Sequence, residues 1–195
     1  MKISRRIVPG KSVLEIGVGD GTDVKKLHAK GLAVHALDIT PAALKKVEAF
    51  SEKLWLESQI ELLPEKYFDV AISHLVAQHI SNETLSRQIR CVLQSLKPRG
   101  LFAMQFADRI NGTPNESYRE DLEVQRAGGV CRSLEMMKKI VQSGGGRIVW
   151  VSKARNFPEY GSRWFYIHIR RKKAFRFLHP QTWTNRWRNY RPETQ

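Results

Sequence analysis

Short apolar runs alternate with amphipathic stretches along most of this chain. Ser12 to Val18 reads SVLEIGV, an apolar run that is too short for a core helix and stops at glycine, so it predicts a buried strand. A short helix over Asp23 to Ala29 follows, and Ala33 to Ile39 (AVHALDI) repeats the strand pattern. Thr40 is placed to cap a helix that begins at Pro41 and turns Leu44 and Val47 to one face. Leu54 to Ser58 is a candidate strand and Phe68 to Ser73 (FDVAIS) a stronger one. Ser81 caps a helix over Asn82 to Leu96, in which Leu85, Ile89, Val92, Leu93 and Leu96 recur at helical spacing. A strand over Leu101 to Phe106 comes next, then a polar, glycine-containing stretch from Asn111 to Val130 that reads as a long loop. Ser133 caps a helix through Gln142, and strands over Arg147 to Val151 and Trp164 to Ile169 close the pattern.

Strands alternating with helices predict an α/β domain with a mostly parallel sheet. Residues 152–163 are too few and too polar for a helical crossover, so the last two strands should pair antiparallel. With 195 residues and 42% apolar composition, one compact domain is expected and a wholly disordered chain is excluded. Cys91 and Cys131 make no disulfide scaffold and read as reduced thiols. No run is long enough for a membrane span, and Met1 to Pro9 lacks a hydrophobic signal core. The expected location is therefore the cytoplasm, with a peripheral place at the inner face of a membrane also open.

Charge changes the picture. Lys and Arg total 33 against 19 acids, a formal net of +14. Arg170 to Gln195 holds eight basic residues and one acid, so this tail carries +7. Phe175, Phe177, Trp183, Trp187 and Tyr190 lie among its arginines, and the last three share one helical face. Basic residues mixed with aromatics suit an anionic partner, either RNA or a membrane surface. The plain alternative is that the rings fold back on the domain while the arginines stay solvated.

The sharpest local feature is Glu15-Ile16-Gly17-Val18-Gly19-Asp20-Gly21, where a strand ends in a glycine-rich turn before a helix. Glycines at alternate positions allow a sharp turn and leave room for a ligand against the main chain. Asp38 follows 21 residues after Gly17, at the end of the second strand, where an acid can accept from ribose hydroxyls. The spacing is GxGxG rather than the GxGxxG of dinucleotide sites. An acid at Glu15 repels a pyrophosphate and suits an amine-bearing ligand. NAD is thereby demoted.

These segments resemble a known family. VLEIGVGDGT followed by HALDI is similar to the first two motifs of class I S-adenosylmethionine-dependent methyltransferases. FDVAISHLVAQHI resembles that family's fourth strand and the segment after it, and LKPRGLFAMQF its LKPGG turn into the fifth. The resemblance implies a Rossmann-like, doubly wound, mostly parallel seven-stranded sheet with an antiparallel last strand. It implies a methyltransferase domain over 1–171 followed by a basic aromatic tail over 172–195. It implies S-adenosylmethionine as cofactor. Gly17 and Gly19 would pass under its methionine and ribose, Glu15 would hold its amino group, Asp38 its ribose, and Ile39 would pack on adenine. Counting back from Leu63-Pro64 implies Gln59 as acceptor for the adenine amine, with Ile60 offering a backbone N–H. Ser73 at the end of the fourth strand completes the implied set.

Methyl transfer needs placement more than covalent help, and the six histidines show no paired ligand spacing, so no metal is predicted. His74 and His79 follow the fourth strand, where substrate meets cofactor in the family. They are the candidate general bases, or else loop histidines bonded to nearby backbone. Asn111, Asn115, Tyr118 and Arg119 are candidate polar contacts to substrate. The expected function is methyl transfer to a hydroxyl or amine of a small molecule or glycan. An RNA acceptor and a non-catalytic subunit with the same fold are the alternatives.

Overall fold

A computed structural model describes residues 7–110 and 129–172. The strands are β1 (Ser12–Ile16), β2 (Ala33–Asp38), β3 (Lys53–Leu56), β4 (Phe68–Ser73), β5 (Leu96–Arg109), β6 (Gly146–Val151), β7 (Arg155–Phe157) and β8 (Ser162–Arg171). The helices are α1 (Thr22–Ala29), α2 (Pro41–Lys45), α3 (Asn82–Ser95) and α4 (Leu134–Ser143), with short 3₁₀ turns between. The sheet order is β3-β2-β1-β4-β5-β8-β6, with β7 paired to β8. The first five strands run parallel, and β8 is antiparallel to β5, β6 and β7.

The predicted architecture holds, with one addition. The connection over 152–163 contains the short strand β7, which pairs with the start of β8 and makes the sheet eight-stranded. Three residues flanked by polar positions carry no period, so the sequence showed only a loop there. The expected caps form: Oγ1 of Thr40 and Oγ of Ser81 and Ser133 accept from the amides of Ala43, Thr84 and Met136. The helix after Thr40 is shorter than its apolar spacing suggested. It ends at Lys45 and gives way to a 3₁₀ turn at Glu48–Phe50.

Two cores lie on the two faces of the sheet. α3 and α4 cover β4, β5 and β8 through Leu85, Ile89, Val92, Met137, Val141, Phe102, Phe106 and Ile167. On the other face α1 and α2 cover β1 and β2 through Val13, Val24, Leu27, Val34, Leu44 and Val47. Cys91 and Cys131 are free and buried. In the LKPRG turn the strained position falls on Arg99, which takes φ +68 where the related LKPGG pattern has glycine. Among the described residues no helix is long and apolar enough to cross a membrane, and no group of His, Cys, Asp or Glu could hold a metal ion. Asn111, Asn115, Tyr118, Arg119 and the tail aromatics lie outside the described residues.

His35 on β2 is buried, and neither ring nitrogen has a hydrogen-bond partner. Trp55, Tyr67 and Phe68 surround it at centroid distances of 5.6, 5.3 and 5.1 Å. Burial pushes its pKa below the ordinary 6.5, with Glu52 and Lys53 acting in opposite directions. A base whose folded pKa is depressed costs stability once the unfolded chain takes the proton. Stability should therefore fall as pH drops below about 6.5. His35→Leu should flatten that acid limb in thermal melts between pH 7 and 5. It should also stabilise the fold at neutral pH by about 1–3 kcal/mol, the scale of an unsatisfied buried polar group. An unchanged acid limb would place the sensitivity elsewhere.

Candidate functional site

The carboxyl ends of β1, β2 and β4 open into a cleft of about 700 Å³. Its walls are the glycine turn Gly17–Asp20, the start of α1, Asp38 and Ile39 after β2, Glu57 after β3, the segment from His74 to Ile80, and Thr84 and Gln88 on α3. This is where ligands sit in open parallel sheets, because the strands end and diverge there.

The glycine turn is shaped by contact. Gly17 has φ +74, and a Cβ there would lie 2.2 Å from Cγ2 of Val76. Its N–H donates to the Leu37 carbonyl at 2.8 Å, tying the turn to β2. Gly21, the residue before α1, has φ +83, and its Cβ would meet Val47 at 2.6 Å. Gly19 differs: at φ +54 its Cβ would meet open space. Gly17 and Gly21 are therefore demanded by packing. Gly19 is demanded by its backbone angle and keeps the cleft floor bare.

Glu15 sits at the end of β1, 2% exposed, with Oε2 lacking a partner. Burial, and then the nearby Asp23 carboxylate, push its pKa up to about 8. An acid kept neutral by its surroundings is poised for a cation that enters the cleft. Asp38 is arranged differently. Its Oδ1 accepts from the amide and hydroxyl of Thr40 at 2.9 and 3.0 Å, and its Oδ2 from the Gly19 amide at 3.5 Å. It holds the glycine turn and the entry to α2 while facing the cleft. Ile39 is 76% exposed on the cleft wall, an apolar surface that a flat ring would cover.

Three implied residues do not line the cleft. The 3₁₀ turn Glu57–Leu62 rotates Ile60 into the core, and Gln59 turns back so that its Oε1 accepts from the Leu56 amide at 3.1 Å. Ser73 is buried within the sheet with its hydroxyl unpartnered. Glu57 and Gln88 line the wall instead. Gln88 is buried and its Oε1 has no partner. Its place in a strongly amphipathic helix gave the sequence no reason to single it out.

His74 and His79 both lie on the cleft. Nδ1 of His74 is 3.5 Å from Asp23, and its Nε2 is 3.0 Å from the Tyr166 hydroxyl. Burial raises the Tyr166 pKa, Arg155 opposes and Asp23 adds to the rise. The Asp23 carboxylate beside Nδ1 favours the ring proton there, and in that tautomer Nε2 of His74 accepts from the phenol. Leu75, next in the chain, takes φ +61, a strained value for a non-glycine residue beside a site. Tyr166 comes from β8, 92 residues away, and no motif pointed to it.

Arg132 was also silent in the sequence. It is 1% exposed, its Nη1 and Nη2 donate to the carbonyls of Ala77 and Ile80, and its Nε donates to Asn82 at 2.6 Å. Its own amide donates to Ala107 at 2.7 Å. A buried guanidinium thus pins the segment carrying His79 and Ile80 to the end of β5.

The methyltransferase-domain family matches residues 14–104, the span from β1 through most of β5. N-terminal Xaa-Pro-Lys N-methyltransferase 1-A of Xenopus laevis is 24% identical over 155 residues, covering 75% of this chain and 66% of that protein. Similar solved structures include an S-adenosylmethionine-dependent methyltransferase from Mesorhizobium loti, with TM-score 0.63 and 20% identity over 84% of this chain and 92% of that one. They also include phosphoethanolamine N-methyltransferase 2 of Haemonchus contortus in complex with S-adenosyl-L-methionine. Its TM-score is 0.64, with 18% identity over 85% of this chain and 50% of that one. The [4+2]-cyclase SpnF shares the fold at TM-score 0.68 and 14% identity, over 87% of this chain and 79% of that one. The glycine turn, Asp38 and the sheet order agree with these matches: residues 14–104 match a methyltransferase domain, and the described residues share the fold of S-adenosylmethionine-dependent methyltransferases.

Proposed function

We propose that this protein transfers a methyl group from S-adenosylmethionine to a hydroxyl or amine brought against Tyr166 and His74. The observation that carries this reading is the Tyr166–His74 hydrogen bond, with the Asp23 carboxylate 3.5 Å behind the ring, at the edge of a cleft fitted for the cofactor. The amine half of the reading draws support from the relatives that are named as N-methyltransferases.

The cleft fits the cofactor at both ends. Glu15 has an unpartnered oxygen to meet the methionine ammonium, Gly19 leaves the floor open, and Asp38 faces the ribose. Ile39 covers the adenine, and the free Oε1 of Gln88 serves as acceptor for its amine in place of Gln59. Bound S-adenosylmethionine supplies an electrophilic methyl carbon on a sulfonium. At the other end the chain manages a proton. The acceptor would bond to the methyl carbon as the carbon–sulfur bond breaks and its electron pair stays on sulfur, leaving S-adenosylhomocysteine; the acceptor's proton passes to the Tyr166 oxygen, and the Tyr166 proton passes to Nε2 of His74. The imidazolium so formed lies against the Asp23 carboxylate. His79 lines the same cleft, and the proton is assigned to His74 because His74 is the histidine in contact with Tyr166 and Asp23.

Transfer of labelled methyl from S-adenosylmethionine to a panel of amines, alcohols, glycans and RNA tests the reading. His74→Asn should lower kcat by roughly 10²–10⁴-fold on the best acceptor, the usual span for a general base. Tyr166→Phe should lower it in the same direction, with cofactor affinity retained in both. Wild-type protein that binds the cofactor but methylates nothing in the panel would overturn it.

Glu15 supplies a second test, and the sign can be worked out. Its folded pKa of about 8 lies above the ordinary 4.5, so the unliganded protein loses stability as pH rises between those values. Meeting the cofactor ammonium ionises Glu15, so binding at pH 7 should release up to one proton. Affinity should climb by up to about tenfold per pH unit until pH is near 8. Calorimetry in buffers of different ionisation enthalpy reads the proton. Glu15→Gln should abolish the release and weaken binding, yet raise the melting temperature of the unliganded protein at pH 7.5. Unchanged affinity in Glu15→Gln would remove it from the site. Gly19→Val should keep the circular dichroism of the wild type and lose cofactor binding, because its side chain would fill the floor.

A further inference from the structure

Strand β8 has two unlike faces. Phe165, Ile167 and Ile169 point into the core under α3 and α4. The alternate residues, Trp164 to Arg170, lie on the opposite face. Strand register adds Arg155 beside Trp164, Trp150 beside His168 and Arg147 beside Arg170. On that side of the sheet the described helices α1 and α2 pack against β2 and β3 at its far end.

The face combines rings and charge. Trp150 and Tyr166 are 38% and 45% exposed. Trp150 lies 4.5 Å from the His168 ring, and Trp164 lies 4.7 Å from Phe157, which carries the Arg155 guanidinium 5.0 Å above it. Residues 146–172 contain seven Lys and Arg and a single acid, Glu159. Of the seven, only Arg163 is ion-paired among the described residues, to Asp108. The strip from Trp164 to Arg170 is about 20 Å long at the usual rise per residue. Near its Trp164 end lies Tyr166, which is bonded to His74 on the cleft.

We propose that this face of β6, β7 and β8 binds single-stranded RNA and leads it to the cleft, so that RNA carries the methyl-accepting group. Unpaired cations beside exposed rings on a sheet are what a flexible polyanion with stacking bases requires. RNA also offers, through its 2′-hydroxyl and exocyclic amines, both acceptor groups that the Tyr166–His74 pair can serve. A membrane interface also takes Trp, Tyr and cations, but it is a plane, whereas these groups follow a strand about 20 Å long that leads to the cleft beside His74. This inference rests on the proposed function for its acceptor and on the sheet face alone for its docking.

The full-length chain with S-adenosylhomocysteine bound should be titrated into a labelled RNA of about 12 nucleotides, within the usual site size. Wild type should bind with strong salt dependence. Reversing two cations in Arg147→Glu/Arg155→Glu should reduce the log–log salt slope by about 1.4, at roughly 0.7 per phosphate contact. Trp150→Ala should weaken binding tenfold or more through lost stacking. All variants should keep wild-type affinity for S-adenosylhomocysteine, which separates docking from folding and from the cofactor site. Variants that bind RNA as wild type does would overturn the proposal and move the interaction to residues such as 173–195. Binding to phosphatidylglycerol vesicles without binding to RNA would overturn it in favour of a membrane. If wild type fails to bind S-adenosylhomocysteine, the proposed function falls while the RNA titration still judges the face.

Discussion

The cleft depends on one close approach. The turns that follow the adjacent parallel strands β1 and β4 meet where Gly17 faces Val76, with no room for a Cβ between them. This contact lets the two turns close on each other just beyond the last paired residues, Ile16 and Ser73. It also explains the strain next door. Leu75 accepts a positive φ so that Val76 can close on Gly17 while His74 turns out to the cleft. On its far side the same segment is held by the Arg132 guanidinium, which spends two donors on it and a third on Asn82 at the start of α3. The segment is clamped between a glycine and a buried arginine, and the histidine that depends on it is thereby placed within reach of Asp23 and Tyr166.

Electrostatics divides the molecule in two. The cleft gathers carboxylates: Glu15, Asp20, Asp23, Asp38 and Glu57 all line it. Such a site favours a cation, and Glu15 is the extreme case, stored neutral until one arrives. Counting Lys and Arg against Asp and Glu, the described residues 146–172 carry seven against one, or +6. The border between the two regions runs through Tyr166, whose phenol feels Arg155 on one side and Asp23 on the other. A cationic cofactor and an anionic acceptor would each be drawn to their own side of that border.

What the sequence determined by itself was local. Period and punctuation were enough for every strand but the three-residue β7, for the three capped helices and for the alternation that makes a parallel sheet, because caps and apolar spacing act within a few residues. The glycine turn and Asp38 were legible for the same reason, since each is a strand end with a fixed offset. Tertiary structure decided what depends on distant partners. Gln59 satisfies the count from Leu63-Pro64, yet a 3₁₀ turn spends its carbonyl on Leu56, and Gln88 from α3 lines the cleft wall. Tyr166 reaches His74 only because β8 lies beside β5 in the sheet, and Arg132 matters only because three acceptors converge on it. His35 looked like an ordinary strand position until burial removed both its hydrogen-bond partners. Short-range order follows from each residue and its neighbours, whereas convergence of side chains across the sheet follows from strand order and burial, which no local spacing records.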